Sequence, residues 1–483
     1  MSEIRRQTLS GVKWSAIERF SGQGIQFFLG LIIARILSPS DYGVVAVLGI
    51  FMAVSQSFID SGFSSALIRK IDRTEVDCST VFYFNVIVGL VCYGIMYVAA
   101  PLIAGFFKQP LLTGITRILS FNLLLSSLTV VQVAKLTISI DFKTQGIINL
   151  VAILLSGTMG VYWAWKGYGI WTLVYQSVTG SVIRTLLLWC LSHWRPQLVY
   201  SWKSFHSLFS YGSKLLASGL LHTVYSEMST IAIGRYYTPR DLGNYTRGQG
   251  FASLPSSNIT GILQRVTFPI LARIQNEEEH LVEVYRKYIR LTSMCIFFLM
   301  VLLAVLAKPL ILCVLTDKWS GAVIFLQIFC FAMMFDHICQ LNLNLLQVKG
   351  RSDLFLKLEI IKKVIAVGIL LISIPLGVLA ICVSKIIYTQ IAVYINTYYT
   401  GKLFHLGYMQ QIRDFMPYLG LSLVACTSVG ILSLVVKNYI VLIVFGGICS
   451  TAIYMFLLYM KRDQLFMELV WSYIRKKVLR RHV

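Results

Sequence analysis

Arg19, Arg117, Arg184, Lys214, Arg247, Arg265, Lys362, Lys363 and Lys385 all fall inside long apolar stretches of the sequence. A basic side chain at the centre of a membrane helix costs roughly 2.5–3.5 kcal/mol on insertion scales, so these groups are expected to face water or protein. Acidic residues in the same stretches are fewer, namely Glu18, Asp60, Glu227, Asp336 and Glu359. An interior with that excess of positive charge favours an anion. On the first stretch Ser15, Arg19, Gln23 and Gln26 recur at helical spacing and share a face, away from Phe27, Phe28 and Leu31. Lys214, Ser218, His222, Tyr225 and Ser229 do the same on the seventh. The eighth offers Asn244, Arg247 and Phe251 before Pro255, where a break or kink is expected. The candidate binding residues are therefore Arg19, Gln23, Gln26, Arg117, Lys214, Tyr225 and Arg247.

Plainer roles compete with this one. Arg184, Arg265 and Lys385 are expected near membrane boundaries, where they would snorkel. Lys362 and Lys363 are spaced to pair with Glu359, and Glu18 and Arg19 to take partners within the bundle. His222 and the Asp336-His337 pair are candidates for carrying protons, and the alternative for each is a satisfied interior side chain. Asp60 and Glu227 would hold a coupling cation or neutralise a nearby arginine. No spacing suits a metal, a catalytic constellation or a cofactor.

These residues need a membrane to position them. Of the 483 residues 57% are apolar and 13% charged, against roughly 45–50% and 25% in a soluble domain, and the mean hydropathy is +0.72. About fourteen helices of membrane-spanning length are expected, near residues 14–36, 43–67, 80–106, 111–134, 144–165, 168–191, 208–235, 242–267, 289–315, 321–347, 354–374, 376–399, 416–436 and 439–460. Basic clusters recur at every second loop, among them Arg69, Lys70 and Arg73, then Arg286, Lys287 and Arg290. This asymmetry places both termini in the cytoplasm. The net charge of +22 is spread along the chain, which argues against a nucleic-acid partner. Nine of the ten cysteines lie in apolar stretches and read as small core residues; Cys78 is expected in a loop as a reduced thiol. The N-terminal segment is too polar for a cleaved signal peptide. The tail, 461–483, is basic and amphipathic and suits an anionic lipid surface.

GLIIARILSPSDYG (30–43) aligns with TIAIGRYYTPRDLG (230–243), matching Ile33 with Ile233, Arg35 with Arg235, Pro39 with Pro239, Asp41 with Asp241 and Gly43 with Gly243. The local chemistry of this element is that of a turn. Its duplication points to two parallel six-helix repeats, because an even number of spans returns the chain to the same side of the membrane. The expected organisation is an N-terminal lobe over 1–207, a C-terminal lobe over 208–405, two additional helices over 406–460 and the tail over 461–483.

SGVKWSAIERF (10–20), ARILSPSDYG (34–43), IDSGFSSALIRK (59–70), YFNVIVGL (83–90) and RVTFPILARIQ (265–275) resemble the polysaccharide-transport, Wzx-type family of the MATE-like MOP superfamily. The resemblance implies an all-α, fourteen-helix flippase in the bacterial inner membrane. Its substrate would be an undecaprenyl-pyrophosphate-linked oligosaccharide used for O-antigen, capsule or exopolysaccharide. Arg19, Lys214 and Arg247 are the positional candidates for the pyrophosphate, a proton or sodium ion for the coupling ion, and a polymerase and glycosyltransferases for partners. A MATE-type multidrug antiporter and a lipid II flippase share the fold and stay open. A membrane glycosyltransferase would need a longer external loop, and a scaffold would not explain the intramembrane cations.

Overall fold

A computed structural model describes residues 20–60, 62–192 and 194–468, without the side chains of Tyr211, Lys214, Ser352 and residues 262–266. The chain divides into two compact units, Met1–Gly243 and Asn244–Val483. Every described element is helical; residues 14–19 of the first expected interval lie outside the described residues, and the described parts of the expected intervals fall mainly on helix.

Unit 1 begins with α1 (Phe20–Ile36). The second expected span is three pieces, α2 (Pro39–Val47), α3 (Gly49–Asp60) and α4 (Phe63–Arg69), and Gly62 sits before α4 at φ +68°. Then follows α5 (Glu75–Phe106), which starts several residues before the expected boundary. The reason is local: Thr74 and Asp77 form a capping box that satisfies the first free amides. Cys78 is thereby drawn into the first turn of α5 and buried, not left in a loop. All ten cysteines are free thiols.

The fourth expected span is also broken, into α6 (Leu112–Leu119), α7 (Phe121–Ser127) and α8 (Val130–Ile138), with a bend of 41° before α8. Hydroxyls accompany each break. Ser120 donates to the Arg117 carbonyl at 3.0 Å, Ser127 to that of Leu124 at 2.8 Å and Thr129 to that of Ser126 at 2.9 Å, back-bonds of the kind that bend helices. The unit continues through α9 (Phe142–Trp165), α10 (Trp171–Leu191) and α11 (Trp202–Tyr236) and takes in the start of α12 (Pro239–Arg273). Helix α12 runs through Pro255 and Pro269 as one element; the expected break at Pro255 does not occur.

The duplicated element acquires a structural meaning within unit 1. Ser38 donates to the Asp41 carboxylate at 2.7 Å and accepts from the Asp41 amide at 3.3 Å, and Thr238 and Asp241 repeat this at 2.6 and 3.2 Å. Each copy is therefore a helix cap, as its residue types suggest. The two caps also meet. A Cβ on Gly43 would overlap the carbonyl oxygen of Pro239, and a Cβ on Gly243 would overlap that of Pro39, so glycine is required at both positions.

Unit 2 holds most of α12, then α13 (Glu278–Val305), α14 (Ala307–Leu315), α15 (Ala322–Met333), α16 (Asp336–Val348), α17 (Ser352–Ser373), α18 (Val378–Phe404), α19 (Tyr408–Val435) and α20 (Tyr439–Met460). Polar ties bind the last two helices to the rest. Asn342 and Gln411 exchange side-chain hydrogen bonds at 2.9 and 3.0 Å, and Thr400 donates to Asn342 at 2.8 Å, all three side chains being buried. Arg286 and Arg290, one turn apart on α13, both donate to the buried Asp414 carboxylate of α19. Helix α20 leans on α13 through Tyr454, whose hydroxyl donates to the Met294 carbonyl at 2.8 Å and whose ring stacks on Phe298.

Among the described residues eight helices are long and apolar enough to cross a membrane, or nine with the bent α6–α8 segment. Helices α1, α10, α11, α12 and α17 are not among them. With the exception of α17 they are helices whose polar faces are the subject of the next section.

Candidate substrate cleft

Within unit 1, α1, α9 and α10 enclose a cleft of about 740 Å³. Helix α1 contributes Gln23 and Gln26, α9 contributes Asn149 and Ser156, and α10 contributes Gln176, Ser177, Ser181 and Arg184. The α10 residues recur at i, i+1, i+5 and i+8 and so share one helical face. Helix α10 is also tied to the broken span: Asn122 of α7 donates to the cleft-lining Ser177 at 3.0 Å and Trp189 donates to the Leu128 carbonyl at 3.1 Å. Those contacts hold α10 against the broken span, and Gln176, Ser181 and Arg184 line the cleft. Gln26, Ser177 and Arg184 are exposed in the bundle; Gln23, Asn149, Gln176 and Ser181 are half-buried. Leu29, Leu150, Ile153 and Leu173 supply apolar wall between them. Among the described residues the lining includes one cation, Arg184, and no carboxylate. Asp60 of α3 feels the charge of Arg184 and accepts a hydrogen bond from Gln56 at 3.1 Å.

The structure brings together some of the residues singled out in the sequence and disperses others. Gln23 and Gln26 line the cleft. Arg19 lies outside the described residues, and Lys214 is described only by its backbone, in α11. Arg117 lies 4.5 Å above the Tyr97 ring and donates to the Tyr97 carbonyl, so its charge rests on α5. Arg247, in unit 2, stacks at 5.2 Å over Trp319. Tyr225 and Glu227 are half-buried on α11, and His222 on the same helix is exposed. His337 is buried in unit 2 with its Nε2 2.9 Å from the Ser293 hydroxyl. Its neighbour Asp336 is hydrogen-bonded to Ser256 and feels the charge of Lys385. Lys385 lies 5.3 Å from the ring centres of Tyr245 and Phe329. Lys362 pairs with Glu359, as their spacing suggests. Among the described residues no cluster of His, Cys, Asp or Glu suits a metal ion.

Sequence reasoning missed the contribution of α9 and α10. Arg184, expected near a membrane boundary and not among the binding candidates, lines the cleft. A signal was present, because Gln176, Ser177, Ser181 and Arg184 form the same kind of polar stripe that was recognised on the first and seventh stretches.

Comparison with known proteins places this geometry in context. A family model described as polysaccharide biosynthesis protein matches residues 32–324. The teichuronic acid biosynthesis protein TuaB of Bacillus subtilis (strain 168) is 26% identical over 356 residues, covering 73% of this chain and 74% of that one. Among solved structures, the lipid II flippase MurJ in an inward closed conformation matches with a TM-score of 0.75 at 16% identity, over 94% of this chain and 100% of that one. A multidrug resistance MATE family transporter of the MOP superfamily, inward-facing, matches with a TM-score of 0.61 at 16% identity, over 81% and 98%. The two structural matches establish a MATE-like, all-helical fold.

Proposed function

Because the chain belongs to the polysaccharide biosynthesis protein family, we propose that it is a flippase for an undecaprenyl-pyrophosphate-linked oligosaccharide, acting in the bacterial inner membrane on the route to a surface polysaccharide. The observation that carries this reading is the unit-1 cleft: amide, hydroxyl and guanidinium groups gathered inside an otherwise apolar bundle. Such a surface offers a hydrated headgroup the hydrogen bonds it would lose in hydrocarbon, while the polyprenyl chain stays in the lipid. No bond is made or broken, so the protein acts as a transporter and not as an enzyme.

In this reading the duplicated halves, 1–207 and 208–405, work as two lobes in alternating access, with 406–460 as added helices and both termini in the cytoplasm. Arg19, Lys214 and Arg247 are the candidates for the pyrophosphate. For coupling to a proton or sodium gradient the candidates are Asp60, His222, Glu227, Asp336 and His337. A cationic-drug exporter would call for acidic groups in the cleft, and among the described residues its lining has none.

The test is a leaflet assay in proteoliposomes with a radiolabelled undecaprenyl-pyrophosphate oligosaccharide, with and without an imposed pH or sodium gradient. Protein-dependent transfer between leaflets is the expected result. Efflux of an organic cation with no transfer of the lipid-linked sugar would overturn the proposal.

A further inference from the structure

We infer that a pocket in unit 2, between α13, α19 and the turn that follows α20, holds one phospholipid of the inner leaflet by its headgroup, and that this headgroup is phosphoethanolamine. The inference goes beyond the flippase reading and shares with it only the placement of the termini in the cytoplasm.

The charges in this pocket of about 590 Å³ are sorted by depth. Glu279, Glu283, Arg286 and Arg290 all line it and recur on α13 at i, i+4, i+7 and i+11, one face of the helix. The apolar run of α13 starts directly after Arg290. With the termini in the cytoplasm, the two arginines therefore stand at the edge of the hydrocarbon and the two glutamates farther out. Glu283 precedes Arg286 by three residues, about 4.5 Å along the axis, which is the scale of the two-carbon linker between a phosphate and an ammonium. A lipid of the inner leaflet presents those groups in the same order, phosphate next to its acyl chains and ammonium toward the cytoplasm. An acidic rim outside a basic floor disfavours the anionic headgroups that wholly basic pockets select.

Three elements build the phosphate end. Arg286 and Arg290 both bind Asp414 through Nε and Nη2, which leaves each Nη1 to donate to a second oxyanion. Lys461 and Arg462, directly after α20, complete this end. Their turn is held in place: Tyr418 of α19 donates to Asp463 at 2.7 Å, Asp463 accepts from the Phe466 amide at 3.0 Å, and the Lys461 ammonium lies 5.9 Å from the Tyr418 ring centre. Arg462 stands at φ +51°, left-handed backbone that favours glycine, so a cationic side chain is carried where none would be easier. At the ammonium end Glu283 lies 3.8 Å from His280 with 82% of its side chain exposed, open to a further cation.

The experiment titrates delipidated, full-length protein in detergent with phosphatidylethanolamine, phosphatidylcholine and phosphatidylglycerol of identical acyl chains, read by native mass spectrometry. The wild type is expected to bind one phosphatidylethanolamine roughly five- to tenfold more tightly than either other lipid, because choline has no N–H to donate to a carboxylate and glycerol no charge to meet one. Glu279→Gln combined with Glu283→Gln should bring phosphatidylethanolamine down to the level of phosphatidylcholine and leave phosphatidylcholine unchanged. Arg462→Gly, which relieves the backbone, should weaken all three lipids several-fold while the unfolding midpoint stays at or above that of the wild type, a combination that a merely structural arginine would not give. Inorganic phosphate at millimolar concentration should leave the lipid bound. Phosphatidylglycerol bound as tightly as phosphatidylethanolamine would make this an anionic-lipid pocket and overturn the inference. So would phosphatidylethanolamine binding that both variants leave unchanged, or its displacement by free phosphate. Leaflet transfer enters none of these readouts, so the flippase reading stands or falls separately.

Discussion

Asp414 shows how one carboxylate can organise two cations. Its side chain is 1% exposed, while those of Arg286 and Arg290 are 40% and 39% exposed, so the acid is buried beneath a pair of guanidiniums open on their outer sides. Asp414→Ala would leave two like charges side by side with nothing between them. Breaking a fully buried pair costs roughly 3–5 kcal/mol, and the exposure of the arginines should bring the loss to the lower end of that range or below it. Lys287 and Glu468 are also 2.6 Å apart, but at 53% and 63% exposure their pair is worth about 0–1 kcal/mol. In thermal unfolding of the detergent-solubilised protein, Asp414→Ala should lower the midpoint clearly and Lys287→Ala barely. Equal shifts would contradict the burial argument. Neither pair was legible in the sequence, because Asp414 is 128 residues from Arg286 and nothing local marks it as buried. The Lys362–Glu359 pair was legible, because a helix brings i and i+3 together whatever the tertiary fold.

At the scale of elements, legibility followed periodicity. Long apolar runs announced the helices, and two of the eight polar residues that line the cleft, Gln23 and Gln26 on α1, stood out because they interrupt such a run at helical spacing. The breaks did not announce themselves. The second and fourth expected spans are divided by serine, threonine and glycine, residues equally common in unbroken membrane helices, and only tertiary contacts decide where a ladder slips. The caps are the exception, since a side chain bonding three residues ahead needs no partner elsewhere. Removing the Ser38 hydroxyl should therefore have a purely local effect. Ser38→Ala is expected to cost about 0.5–2 kcal/mol, read as faster amide hydrogen exchange in the first turn of α2 with no change in α9 or α10. Loss of protection spreading into the cleft helices would show that the cap does more than end a helix.

For the molecule as a whole, the apolar composition made an all-helical membrane protein readable before any coordinates, and the family resemblance implied its MATE-like architecture. The cleft's full wall was not, because it depends on how α10 packs on the broken span, to which it is joined by the long-range hydrogen bonds Asn122–Ser177 and Trp189–Leu128. Gly43 and Gly243 offer a measurement at this scale. Alanine at either should force the two caps apart and cost about 1–3 kcal/mol, as overpacking does in a well-filled core, seen as a lower unfolding midpoint. The contact is reciprocal, each glycine facing the other copy's proline carbonyl. Separation enforced by the first alanine makes room for the second, so the double variant should lose less than the sum of the two singles. In genetic terms two codons two hundred positions apart behave as one locus: once either has mutated, the other is released from constraint, and reversion must begin where the first change occurred.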